Sequence, residues 1–222
     1  MGKARAVAGG GRAVEVPAER VVGWFERFGA RHEGITRTVI TPETVLVEAG
    51  DGATATVSVP YAPIEDVGEW ATLNVDGLIA HLERPRQVGL LLVRLGGHSV
   101  GVASAGKVVV SRTDRHLVHG RSAAGGWSQQ RFARRREGQA RHALEAAAKD
   151  VAEVLGSRVG TLDAVVLGGD QRALDTLRAE RALAPVFALA EPRVLDVPEP
   201  RRTVLDDAAT RAFSIEIVVR DS

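Results

Sequence analysis

Cysteine is absent from the 222 residues of this chain. Disulfides, thiolate zinc sites and nucleophilic cysteine chemistry are thereby excluded, and a reducing cytoplasm is the expected location. Aromatic residues are scarce, at 4%. No apolar run approaches the roughly 20 residues of a membrane-spanning helix, so no membrane partner is expected. The N-terminal stretch MGKARAVAGGGRAVEV lacks a long apolar core, which argues against a secretory signal. Charge of one sign is also lacking: the formal net charge is +1, so overall charge points to no partner. What is present is ordinary for a globular protein, with 45% hydrophobic and 26% charged residues. The length suffices for one sizeable domain or a main domain with a small accessory one. The preference for Ala, Arg and Val over Ile, Lys and Phe reads as a coding bias.

The distribution of charge is more informative than its sum. Arg112, Arg115, Arg121, Arg131, Arg134, Arg135, Arg136 and Arg141 crowd one stretch, interrupted only by Asp114 and Glu137. A local basic patch of this kind is what a phosphate-binding surface requires.

Along the chain, residues 1–12 are Gly- and Ala-rich and read as a flexible tail. Residues 13–83 read as a small α+β unit. A short strand from Ala13 to Val16 precedes a helix with an apolar period at Val21, Val22, Trp24, Phe25 and Phe28. Strands follow near 35–40, 44–48 and 53–59, then a helix near 75–82. The Arg84-Pro85-Arg86 break marks the boundary. Residues 84–222 read as the main α/β (α+β) domain around a mixed β-sheet. Val88 to Leu95 is a strand buried on both faces. His98 to Ser104, Lys107 to Ser111 and Arg115 to Gly120 are further strands. A Gly- and Arg-rich loop leads into a long helix from Ser128 to Leu155. Ala140, Ala143, Leu144, Ala147, Val151 and Val154 give that helix an apolar stripe. Leu162 to Leu167 is a buried strand, and Ser214 to Val219 alternates as a final strand of this domain.

The chemistry concentrates in GGWSQQRFARRREGQARHALEAAAKDVAEVL. This segment resembles the central domain of archaeal and eukaryotic class I release factors, in which a Gly-Gly-Gln loop precedes a long helix opening with an Arg-Phe-Ala-Arg run. Here Arg131-Phe132-Ala133-Arg134 stands at the matching place. The resemblance covers roughly Val88 to Val219 and implies an RNase H-like mixed sheet. There is one departure. Aligned on that run, Trp127 takes the place of the release-factor glutamine, and glutamine returns at Gln129 and Gln130. This is similar to the bacterial branch of the Vms-type release factors, in which the glutamine is also displaced. The resemblance implies hydrolysis of ribosome-bound peptidyl-tRNA without codon reading, with the large subunit, its rRNA and the peptidyl-tRNA as partners and no cofactor.

The residue chemistry suits that role. Gly125-Gly126 offers a narrow backbone free to take positive φ. A glutamine amide cannot act as a base near neutral pH, but it can hold a water by a donor and an acceptor together. Gln129 lies one residue nearer the glycines than Gln130, so water positioning is expected of Gln129 and a supporting part of Gln130. Arg121, Arg131, Arg134 and Arg135 are expected to grip phosphate. Trp127 either packs at the helix start or stacks on a base.

Plainer readings stand beside these. Arginines 134 to 136 could be a solvated helix face. Gly168-Gly169-Asp170, a strand-to-helix turn, reads as a capped turn, since it lacks the full dinucleotide or Gly-Lys-Ser/Thr phosphate-loop pattern. His116 and His119, three apart on a strand, would face opposite sides, so no metal site is expected. A non-catalytic ribosome- or tRNA-binding module and a tRNA 3′-end nuclease are the rival functions. The nuclease would want a carboxylate cluster that the sequence does not offer.

Overall fold

A computed structural model describes residues 5–94, 97–115 and 128–221, the side chains of 115 and 128–137 excepted. In chain order the first elements are β1 (Arg5–Ala6), β2 (Arg12–Pro17), α1 (Val21–Arg31), β3 (Ile35–Ile40), β4 (Thr44–Ala49), β5 (Thr54–Ser58), β6 (Gly68–Trp70) and α2 (Asp76–Glu83). Then come β7 (Gln87–Arg94), β8 (Gly97–Ser104), β9 (Lys107–Arg115) and α3 (Ser128–Val154). The chain continues through β10 (Ala164–Gly169), α4 (Gln171–Arg178), α5 (Ala184–Phe187), β11 (Ala190–Leu195), α6 (Arg202–Ala212) and β12 (Ser214–Arg220). Among the described residues no helix is long and apolar enough to cross a membrane.

Contacts divide the chain into two units, 1–85 with 213–222, and 86–212. The first holds a sheet of order β1-β2-β12-β5-β4-β3-β6, antiparallel at every pairing. Alternation along its strands puts Val45, Val47, Ala55 and Val57 into one core, where they meet Val21, Phe25 and Phe28 of α1 and Leu78 of α2. Two expectations are corrected here. The last strand belongs to this sheet and not to the 84–222 domain: β12 pairs antiparallel with both β2 and β5. Its apolar positions Ile215, Ile217 and Val219 fill the first core. Alternation identifies a strand and its buried face, but it carries no information on which sheet receives it. The boundary is therefore crossed twice, after Pro85 and after Ala212. Residues 1–12 are also not all tail. Arg5 and Ala6 pair with Ala13 and Arg12 across Gly9, Gly10 and Gly11, each at positive φ.

The second unit is a five-stranded mixed sheet of order β11-β10-β7-β8-β9. β7 runs parallel to β10 and antiparallel to β8, and β10 runs parallel to β11. The continuous apolar run of β7 is buried from Val88 to Val93 because both faces are covered. On one face Leu91, Val93, Val100 and Val102 meet Ala147, Val151 and Val154 of α3. α6 covers the other face, and its Leu205 approaches Gly101 so closely that a Cβ there would sit 3.0 Å from it and 2.7 Å from the Val110 carbonyl oxygen. β9 continues unbroken through Ser111 to Arg115, so two expected strands begin as one. Residues 116–120, expected to extend the second of them, lie outside the described residues.

Candidate RNA-facing site

α3 opens at Ser128, immediately after the Gly- and Arg-rich segment. Its 27 residues span about 40 Å at the helical rise. The expected site residues Arg121, Gly125, Gly126 and Trp127 lie outside the described residues, as do His116 and His119. Gln129, Gln130, Arg131, Arg134 and Arg135 fall in the first two turns of α3. Adjacent positions 129 and 130 are about 100° apart around the axis. Positions 131, 134 and 135 have the i, i+3, i+4 spacing of a single face. These two groups are thus brought onto one helix.

The described part of α3 shows how that helix is held. From Ala143 on, small and branched residues at positions 143, 147, 151 and 154 are buried. Asp150 interrupts this face and is 8% exposed. Its Oδ2 accepts from His98 Nε2 on β8 at 2.9 Å, and its Oδ1 accepts from Arg112 Nη1 on β9 at 2.8 Å. Arg112 also donates to Glu153. Burial opposes ionisation of Asp150, but the hydrogen bonds from Arg112 and His98 outweigh it and hold the carboxyl below its ordinary range. The same acids and their charges keep the Arg112 guanidinium above its usual range. Ser99 Oγ and Thr113 Oγ1, 2.6 Å apart, add a cross-strand bond between β8 and β9. His98 is fully buried and its Nδ1 meets no partner among the described residues.

This network fastens α3 to β8 and to β9, the strand from which residues 116–127 depart. Sequence reading missed the network because its members are far apart in the chain, 52 residues between His98 and Asp150 and 38 between Arg112 and Asp150. One signal was available: a lone Asp on the apolar stripe of α3, which a buried carboxylate occupies only with partners.

The Gly168-Gly169-Asp170 turn behaves as a capped turn. Asp170 Oδ1 accepts from Ala173 N at 2.9 Å at the start of α4. Gly169 has φ 105°, and a Cβ there would lie 2.0 Å from the Val93 carbonyl oxygen, so no other residue fits. No cluster of metal-ligating groups occurs among the described residues.

The sequence over residues 86–218 matches the family model of the Actinobacteria/chloroflexi VLRF1 release factor. The chain belongs to that release-factor family. Its members' name places the protein in translation. Among curated proteins none matches the sequence. Of solved structures, the archaeal translation termination factor aRF1 superposes with TM-score 0.45 at 13% identity over 90% of this chain. The Saccharomyces cerevisiae translation termination-like factor Dom34 superposes with TM-score 0.34 at 9% identity over 93%. Archaeoglobus fulgidus Pelota does so with TM-score 0.35 at 13% identity over 96%. The chain spans 66% of the first two of these proteins and 68% of the third. At such identity and superposition the likeness carries no statement about activity.

Proposed function

We propose that this release-factor family protein is a peptidyl-tRNA hydrolase that acts in the cytoplasm on ribosome-bound peptidyl-tRNA, in ribosome rescue and quality control, without reading a codon. The observation that carries the reading is the Gly125-Gly126 to Gln129 segment at the head of a helix that a buried ionic network locks to its sheet. In this reading the glycines allow close approach to the ester at the tRNA 3′ end. Gln129 holds a water against the carbonyl carbon. The water adds, the bond to the ribose oxygen breaks, and the proton leaves on the ribose hydroxyl, giving a free peptide and an intact tRNA. Amide donors placed for the developing oxyanion contribute several kcal/mol to such a step. Gln130 supports, Trp127 stacks or packs, and Arg121, Arg131, Arg134 and Arg135 grip phosphate of the tRNA or large-subunit rRNA. No cofactor enters.

The test is incubation of ribosome–nascent-chain complexes with the purified chain, followed by analysis of both products. Released peptide with a full-length tRNA supports the hydrolase. A shortened tRNA would make it a nuclease, and unchanged peptidyl-tRNA would leave a binding module. The module is the reading favoured by one observation, the Trp127 that replaces the expected release-factor glutamine.

A further inference from the structure

In the second sheet the chain leaves β7 toward one side, through β8 and β9, and leaves β10 toward the other, to β11. The gap between the two exits, beyond the C-terminal ends of these parallel neighbours, is a topological switch point, where open α/β sheets bind their ligands. A cavity of about 230 Å³ lies there, between the strand ends, the middle of α3 and the start of α4. Its floor is apolar: Val93, Ala140, Ala143, Leu144 and Ala173. Two arginines, Arg94 and Arg172, line it as well. Arg172 is exposed and makes no ion pair among the described residues. Arg94 pairs with Asp196 at 3.2 Å, but that carboxylate is 97% exposed, so the bond is screened and readily exchanged. The helix-start amide of Ala173 is already satisfied by Asp170, so the cations at this site are side chains.

The chemistry of the lining selects among ligands. A free inorganic anion would gain nothing from the apolar floor and would face the Asp170 carboxylate. A lipid or other wholly apolar ligand would leave two cations unanswered. A flat, apolar-faced base with donor groups on its edge and a phosphate attached meets all of it: the floor, the Asp170 carboxylate with the Thr176 hydroxyl, and the arginines. The volume is below the roughly 300–1,000 Å³ of sites for drug-sized ligands, which suits a single base.

We infer that this cavity takes one unstacked RNA nucleotide, its base on the Ala140–Ala143–Leu144 face of α3 and its phosphate on Arg172 and Arg94. The inference rests on the proposed reading that the partner is tRNA or rRNA, and it adds a second anchor. Ala140 lies about 16 Å along α3 from Gln129 at the helical rise. A nucleotide captured there sets how far the head of the helix reaches.

The test uses the full chain and four separate probes, AMP, GMP, CMP and UMP, followed by NMR, with inorganic phosphate and ribose 5-phosphate as controls. At least one nucleotide is expected to give saturable shifts at Ala140, Ala143, Ala173 and Thr176. Arg172→Glu, at an exposed position, should weaken that binding about tenfold or more. Ala140→Leu, which fills the cavity with a good helix former, should abolish it while the helical circular dichroism is retained. Silence with all four nucleotides, equal shifts with phosphate or ribose 5-phosphate, or binding indifferent to both variants would each overturn the assignment. Peptide release is measured separately. A chain that binds nucleotide here but releases no peptide refutes the hydrolase and keeps the cavity; one that releases peptide without these shifts does the reverse.

Discussion

The two sheets treat charge differently. In the first unit the charged residues pair at the surface: Arg5 with Glu216, Arg37 with Glu69, and Arg84 with Glu65. Such exposed pairs contribute about 0–1 kcal/mol each. Its buried Thr38 and His81 bond to backbone carbonyls, those of Thr72 and Pro60. In the second unit an ionised carboxylate, Asp150, is drawn inside and answered by His98 and Arg112. Burying a charge is costly unless its bonds are well made, so its retention calls for a reason beyond stability. The reason offered by the geometry is orientation of α3, the helix that carries Gln129. The first unit is a core with a solvated exterior; the second is a scaffold for one helix. If so, lesions in the second unit should strike turnover and those in the first should not.

The largest expected effect is at the head of that helix. Gln129→Ala should lower peptide release by about 10²–10³-fold, the range for losing one positioned amide, while ribosome binding by sedimentation is kept. Gln130→Ala should retain measurable release. The opposite pattern moves the assignment by one residue, and full activity in the double variant removes glutamine from the mechanism.

Next in size is the network. Asp150→Ala strands His98 and half-exposed Arg112 and should destabilise the chain by about 2–4 kcal/mol in urea unfolding. Its pH dependence has a definite sign. The folded carboxyl is held below its ordinary range, so its contribution is complete above the unfolded value of about 4 and fades as pH falls through the folded one. The stability gap between wild type and Asp150→Asn should be constant from pH 7 to 5 and shrink by pH 3. A gap that widens toward pH 3 would contradict the ion pairing.

Smaller again is the basic face. Replacing Arg131, Arg134 and Arg135 together by Ala should weaken ribosome binding and reduce the slope of log K against log salt by about 2, at roughly 0.7 per phosphate contact on single-stranded RNA. An unchanged slope would make these arginines a solvated face.

What could be read from the sequence follows the range over which each signal acts. The α3 stripe, the β7 run and strands β2 to β5 of the first unit are written in neighbouring residues, and they were legible to within a few positions. The family was legible through a local motif, Gly-Gly followed by Gln and Arg-Phe-Ala-Arg. The contacts that set tertiary partners were not. β12 alternates Ile215, Ile217 and Val219 as any half-buried strand would, and only the vacancy between β2 and β5 decides its sheet. His98, Arg112 and Asp150 meet through the register of β8 and β9 and the rotation of α3, none of which one sequence displays. The switch-point cavity likewise depends on strand order, which periodicity does not specify.

The smallest effect on turnover is expected from removing the first unit, and the position of β12 dictates how to remove it. A fragment that starts at Arg84 and runs to Ser222 keeps β12 without β2 and β5, leaving Ile215, Ile217 and Val219 uncovered beside unpaired backbone groups on both edges. Such a strand is a template for aggregation, so this fragment should be poorly soluble whatever the second unit does. A fragment from Arg86 to Ala212 omits the strand and retains every described member of the second core, the ionic network and α3. It should fold, bind ribosomes more weakly and release peptide at saturating concentration with a rate within about tenfold of the full chain, since uniform binding is lost and the reacting geometry is not. Turnover against enzyme concentration separates the two terms. A folded 86–212 fragment, verified by circular dichroism, with no release at saturation would mean that the first unit takes part in the chemistry, and the division of labour between the two sheets would fall.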